Sequence, residues 1–265
     1  MQTVISKDGT KIAYDQAGSG PALILVGGMF EQRAMESDTS KLAVYPLLTE
    51  NFTVYHYDRR GRGDSTDTLP FAVEREIEDI EALIDVAGGS AFLSGISSGA
   101  SLAFEAALKL GGKVKKLAMY DPPYNDDADA RQGWKAFRKD LDQAIAEDRR
   151  GDAVALFMMV TGMPREAVDG MREYPMWPMF EAIAATIAYD AAAVGEEAAV
   201  PVERARNLKT PTIVMNGGET YPFMPIAGEA LAKAIPNVEY RVLEGQAHEV
   251  EPEAIAPVLI EFFNA

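Results

Sequence analysis

The sequence predicts an α/β fold: a mostly parallel, doubly wound sheet with an inserted helical segment. Three observations carry this. Short apolar runs that end in glycines or polar loops alternate with helical patterns, as parallel strands joined by crossover helices do. One of them, "PALILVGG" (21–28), is continuously apolar rather than alternating, the pattern of a strand buried on both faces. From about residue 124 to 203 the alternation stops, and no strand pattern interrupts the helical one.

In order, "TVIS" and "KIAYDQ" flank Lys7-Asp8-Gly9-Thr10, where Asp-Gly suits a tight turn, so the chain opens with a hairpin. The strand at 21–28 follows, then "NFTVYHYDRRGRGDS" (51–65), a β-branched and aromatic strand ending in a glycine-punctuated polar loop. Val73, Ile77, Ile80 and Ile84 recur at helical spacing up to a stop at Gly88-Gly89. "SAFLSG" is the next strand, "ASLAFEAALKL" the next helix and "VKKLAMYD" (114–121) another strand. The inserted segment carries helical stretches such as "GWKAFRKDLDQAIAEDRR" and "MFEAIAATIAYDAAAVG". "TPTIVMNGG" and "EYRVLEGQ" then restore the strand pattern, and "EPEAIAPVLIEFF" closes the chain as a helix. The expected division is a core of residues 1–122 and 204–265 around an insertion of 123–203.

Composition narrows the chemistry. With 25 Lys+Arg against 41 Asp+Glu, a net charge of −16 repels phosphate backbones and anionic lipid, so neither nucleic acid nor a membrane is an expected partner. The N-terminus has no basic region followed by an apolar stretch, and no window approaches a membrane span, which makes a soluble, cytoplasmic protein the expectation. The chain has no cysteine, which removes thiolate nucleophiles, and two histidines, His56 and His248, leave little for a metal site. No metal or cofactor is expected; serine, histidine and carboxylates must carry the chemistry.

In "LSGISSGAS" (93–101) one register places glycine two residues before and two after a serine: Gly95-Ile96-Ser97-Ser98-Gly99. A nucleophile on a sharp strand-to-helix turn adopts a strained backbone that only small neighbours accommodate, and a strand leads into this turn and an alanine-rich helix out of it. Ser97 is therefore the candidate nucleophile. A serine hydroxyl needs a general base, and His248, in the loop "LEGQAHEVEPE" between the last strand and the last helix, is the candidate. His56, inside "TVYHYD", reads as structural.

"ILVGGMF", "YDRRGRGDS", "GISSG" and "EGQAHEVEPE", in this order, resemble the α/β-hydrolase family over residues 3–122 and 205–265, in a capped, carboxylesterase- or lactonase-like branch. Two positions depart from its pattern: Gly27-Gly28 stands where His-Gly is frequent, and Ile96 where a histidine often precedes the nucleophile. The resemblance implies an oxyanion hole made by the backbone N–H groups of Met29 and Ser98. It implies that "RRGRGDS" is a mainly structural loop and that the insertion is a cap over Ser97; Arg59, Arg60 and Arg62 read as a solvated, salt-bridged turn, with attraction of an anionic substrate as the alternative. The insertion holds six of twelve methionines. Met158, Met159, Met176, Trp177 and Phe180 are the candidate pocket walls, with packing between cap helices as the alternative role.

The acid of the triad is open between two residues. Much of the family carries an Asp after the strand written here "TIVMN", but Thr220 falls at that position and Glu219 one residue earlier. Another branch carries it at the end of the strand that follows the nucleophile helix, where this chain has Asp121, and Asp121 ranks ahead of Glu219. The expected function is a cofactor-free serine hydrolase acting through an acyl-enzyme on a small to medium, largely apolar ester, lactone or thioester. Haloalkane dehalogenase and epoxide hydrolase branches require a carboxylate nucleophile, which Ser97 is not. A perhydrolase or acyltransferase using the same residues, or a ligand-binding relative with little turnover, are the alternatives.

Overall fold

In the computed structural model, which describes residues 1–33 and 44–265, eight strands form one sheet in the order β1-β2-β4-β3-β5-β6-β7-β8. The opening hairpin is β1 (Gln2–Ile5) and β2 (Lys11–Ala17), and Gly9 supplies the positive φ of its turn. β2 runs antiparallel to β1 and to β4 (Thr53–Tyr57). From β4 onward every pairing is parallel, through β3 (Ala22–Val26), β5 (Ala91–Ile96), β6 (Val114–Tyr120), β7 (Thr212–Gly217) and β8 (Val238–Leu243).

The continuous apolar character of β3 has the expected cause. Ile24 and Val26 point into a core with helices α2 (Val73–Val86), α3 (Ser98–Leu110) and α10 (Phe223–Ala234). Leu23 and Leu25 point the other way, toward α1 (Val44–Leu48) and α11 (Pro252–Asn264). Both faces of the sheet are thus covered, and the carboxyl ends of β5, β6 and β7 are left at one edge, where loops gather.

Between β6 and β7 the chain is helical: α4 (Ala128–Ala146), α5 (Arg150–Val160), α6 (Arg165–Met171), α7 (Trp177–Ala182), α8 (Ile187–Val194) and α9 (Val202–Ala205). Two expected helices have different bounds. The one read at 133–150 begins at Ala128, where Asp127 caps the free amide of Ala130 at 2.9 Å, and ends before Asp148, whose φ is 51°. The one read at 179–195 is α7, a 3₁₀ turn at 184–186 and α8. Helix α10 has no counterpart in the sequence reading, because Pro225 lies in its first turn, where proline is tolerated, and reads as a breaker.

Candidate active site

Ser97 occupies the sharp turn between β5 and α3, with φ 54° and ψ −129°. The flanking glycines explain why the chain accepts this strain. A Cβ on Gly99 would fall on the carbonyl oxygens of Val26 and Gly27, and one on Gly95 would fall on the start of α3. Gly28 faces the turn from the β3 loop, where a Cβ would sit 3.0 Å from the Ile96 oxygen and 3.2 Å from Ser97 Cβ. Glycine at 28 thus lets the β3 loop close against the serine.

His248 lies after β8, and its Nε2 is 3.2 Å from Ser97 Oγ. Its Nδ1 is 3.0 Å from Oδ2 of Asp121, which is fully buried at the end of β6. Asp121 also accepts from Asn216 Nδ2 (2.8 Å) and the Gly217 amide (3.2 Å) at Oδ1, and from Thr220 Oγ1 (2.6 Å) at Oδ2. Its backbone φ of 45° is the second strained angle of the site. Tyr120 holds the histidine loop by donating to the Ala247 carbonyl. Burial, reinforced by the Asp121 charge, raises the pKa of the Tyr120 phenol far above its ordinary value, so it remains a donor.

The structure therefore brings Ser97, His248 and Asp121 together. Glu219 is exposed and meets the histidine loop through its backbone, its N–H bonding the Gln246 carbonyl at 2.8 Å. Thr220, at the position where Asp was expected from the family, contributes a hydroxyl to Asp121 instead. His56 is buried within β4 beside the Tyr45 ring, 5.8 Å between centroids, away from the cavity. Met29 and Ser98 line the same cavity as Ser97, and the Ser98 amide lies at the first turn of α3, where helix N–H groups lack intrahelical acceptors. Neither donates to a backbone carbonyl of the described residues outside regular structure.

A cavity of about 830 Å³ opens over Ser97, within the range of small-molecule sites. Its walls include Phe30, Trp134, Phe157, Met176, Met179 and Phe223. Of the five expected wall residues only Met176 lines it. Met158, Trp177 and Phe180 are buried in the core among the inserted helices, and Met159 packs against that core, because the helices must bury an apolar face of their own. Phe180 acts at one remove, its ring 4.7 Å from that of Phe30.

The arginine loop corrects a second expectation. Arg59, Arg60 and Arg62 are salt-bridged but not solvated: each is at most 2% exposed. Arg60 makes a forked pair with Asp79 (2.7 and 2.8 Å). Arg59 makes one with Glu76 (2.7 and 2.8 Å), and both Arg59 and Arg62 bond Asp190 of α8. Burial opposes the charge on Arg59, but the Asp190 and Glu76 carboxylates outweigh it and raise its pKa. Sequence reasoning missed Asp190; the available signal is a lone aspartate inside the apolar run "TIAYDAAAV". It also missed Glu31, whose carboxylate accepts from the Gly28 amide.

A model of the alpha/beta hydrolase family matches residues 23–258, and the chain belongs to that family. An alpha/beta hydrolase from Sphaerobacter thermophilus is similar at 46% identity, covering 99% of this chain and 100% of that one, with a TM-score of 0.86. Two more distant structures share the fold. The enol-lactonase from Burkholderia xenovorans is 18% identical, covering 100% of both chains, with a TM-score of 0.73. A thermophilic esterase from Thermogutta terrifontis with malate bound is 20% identical, covering 99% of this chain and 97% of that one, with a TM-score of 0.69. Among the described residues no helix is long and apolar enough to cross a membrane, and no group of three or more His, Cys, Asp or Glu could hold a metal ion.

Proposed function

We propose that this protein is a serine hydrolase that cleaves a small to medium, largely apolar carboxylic ester, lactone or thioester through an acyl-enzyme. The observation that carries the reading is the hydrogen-bonded series Ser97, His248 and Asp121 at the floor of an apolar cavity. Ser97 Oγ attacks the carbonyl carbon as His248 Nε2 takes its proton. Asp121 accepts from Nδ1–H, which fixes the tautomer that leaves Nε2 free and stabilises the imidazolium. The carbonyl oxygen, now an oxyanion, accepts from the Met29 and Ser98 amides. Collapse expels the leaving group with the proton from His248, and water, activated by the same histidine, releases the acid. The inserted helices act as the cap that supplies the apolar walls.

A fluorophosphonate probe tests the reading, because it labels only an activated serine beside working oxyanion donors. The expected result is stoichiometric labelling at Ser97, lost in Ser97→Ala and retained in Ser94→Ala, with turnover of p-nitrophenyl esters. Folded protein that is neither labelled nor active would instead support a ligand-binding role.

A further inference from the structure

Gly28 C=O and Met29 N–H belong to one peptide unit, so whatever fixes the carbonyl also fixes the direction of the amide, antiparallel to it. Arg62 Nη1 donates to that carbonyl at 2.6 Å, and also lies 3.3 Å from the Glu31 carbonyl. The guanidinium is itself held by the inserted helices: Nε donates to Thr186 Oγ1 at 3.0 Å, and Nη2 bonds Asp190. Asp190 is fully buried, and its other oxygen accepts from Ser98 Oγ at 2.7 Å and from Arg59. Arg59 in turn reaches the Gly27 carbonyl at 3.3 Å. One carboxylate of α8 thus touches the residue carrying one oxyanion donor and, through Arg62, orients the peptide carrying the other.

We infer that Arg62, held by Asp190 and Thr186, is a positioning residue for the oxyanion hole, acting through the Gly28–Met29 peptide. The inference rests on the serine-hydrolase reading above. Two physical effects contribute. The charged donor pins the amide plane, so the Met29 N–H is aimed before the substrate arrives and needs no reorganisation in the transition state. It also polarises the amide, and donation to a carbonyl strengthens the N–H of the same unit as a donor. Geometry favours this over a purely structural role. Asp190 could have neutralised Arg59 and Arg62 anywhere in the core, whereas here the ion pairs close on both donor-bearing segments. Arg60 and Asp79 provide the contrast: Arg60, in the same loop, pairs with the equally buried Asp79 of α2 and otherwise meets Asp8 and the Arg75 carbonyl and no described part of the site.

The test is the double variant Arg62→Met with Asp190→Asn, which removes one charge of each sign and leaves Arg59 paired with Glu76. Neutralising a buried pair in both partners is tolerated far better than orphaning one. Expected is a fall in kcat of about 10- to 100-fold with KM changed by less than about 3-fold, because the interaction strengthens only as the oxyanion forms. Affinity for a trifluoromethyl ketone, whose serine adduct carries an oxyanion, falls by the same factor as kcat/KM. Arg62→Lys, which keeps a charged donor, recovers part of the loss. Arg60→Met with Asp79→Asn leaves kcat and ketone affinity within about 2-fold. If the double variant does not fold, Thr186→Val, which frees one anchor of the guanidinium, is the substitute, with an expected fall of about 3- to 10-fold. The inference is overturned if kcat and ketone affinity hold within about 3-fold of wild type, or if the Arg60/Asp79 variant loses as much. Fluorophosphonate labelling of the wild type, run alongside, separates the cases. An unlabelled wild type removes the hydrolase reading itself, whereas a labelled wild type with an unchanged variant removes only the role of Arg62.

Discussion

Replacing Asp121 by asparagine changes one atom in a site whose neighbours dictate how the new amide must lie. Oδ1 of Asp121 accepts from two donors, Asn216 Nδ2 at 2.8 Å and the Gly217 amide at 3.2 Å. An NH₂ group placed there would face both, so the oxygen of the introduced amide keeps that side and its nitrogen takes the position of Oδ2. That position faces Thr220 Oγ1, which can rotate to accept, and His248 Nδ1. The histidine then accepts at Nδ1 and carries its proton on Nε2, opposite Ser97, where it is no longer able to take the serine proton. Wrong tautomer and lost carboxylate together cost about 10³- to 10⁴-fold in kcat, or about 4–5.5 kcal/mol of barrier. The fold should survive, because two hydrogen bonds change sense and none is left without a partner. The assay is kcat on a p-nitrophenyl ester with thermal unfolding as the control, beside Glu219→Gln, whose exposed side chain should leave kcat within about 2-fold. A folded Asp121→Asn enzyme keeping more than about a tenth of wild-type kcat, or a larger loss in Glu219→Gln, would refute the reasoning.

Thr220→Val removes a 2.6 Å donor from the same carboxylate while leaving Asn216, the Gly217 amide and His248, and should lower kcat about 3- to 30-fold without loss of fluorophosphonate labelling of the folded protein. Gly99→Ala forces a Cβ onto backbone oxygens that cannot yield, and should destabilise by about 3 kcal/mol or more, read as a fall in Tm together with weaker labelling of Ser97. Met179→Ala, on the cavity wall, should shift acyl-chain preference by about 1–3 kcal/mol per methylene accommodated, whereas Met158→Ala, in the core of the inserted helices, should cost about 2–5 kcal/mol of stability with the preference unchanged; a panel of esters of increasing chain length with parallel denaturation separates the two. Asp8 is held down to a pKa of about 2: burial works against its charge, but the hydrogen bonds from Arg60 and Thr10 outweigh it. A depressed carboxylate stabilises the fold above its unfolded value of 3.8 and stops doing so as pH falls toward 2, so Asp8→Asn should cost about 2 kcal/mol in urea unfolding at pH 7 and almost nothing near pH 2.

The parts of this molecule legible in its sequence are those whose cause is local. The turn at Ser97 follows from glycines within two residues of it, and the two-faced burial of β3 from a five-residue run. Asp121 is readable as the candidate acid only because it ends a strand beside the one that ends at Ser97, a neighbour relation set by the sheet. In the structure Thr220, in the loop after β7, donates to the carboxylate that follows β6, so the two strand ends share one hydrogen-bonded centre. The cavity walls were harder, since a methionine at helical spacing can face the cavity or the interior of the inserted helices. The sequence period places Met158 and Met179 on apolar faces without saying which face meets the sheet.

The arginine loop shows where local reasoning ends for a physical reason. Three arginines within four residues, among glycines and an aspartate, have the composition of a solvated turn, and burying them unpaired would cost several kcal/mol each. What makes burial tolerable is a set of carboxylates from elsewhere: Glu76 and Asp79 on α2, and Asp190, which lies 128 residues beyond Arg62 in the chain. Each is unremarkable in its own segment except Asp190, an acid in an apolar helix with nothing nearby in sequence to neutralise it. A buried acid of that kind demands a cation, and a loop of three arginines with too few local acids demands carboxylates. Matching such unmet charges across the sequence pairs α8 with the arginine loop from residue types alone. It predicts that the inserted helices are fastened to the segment that carries the Met29 amide.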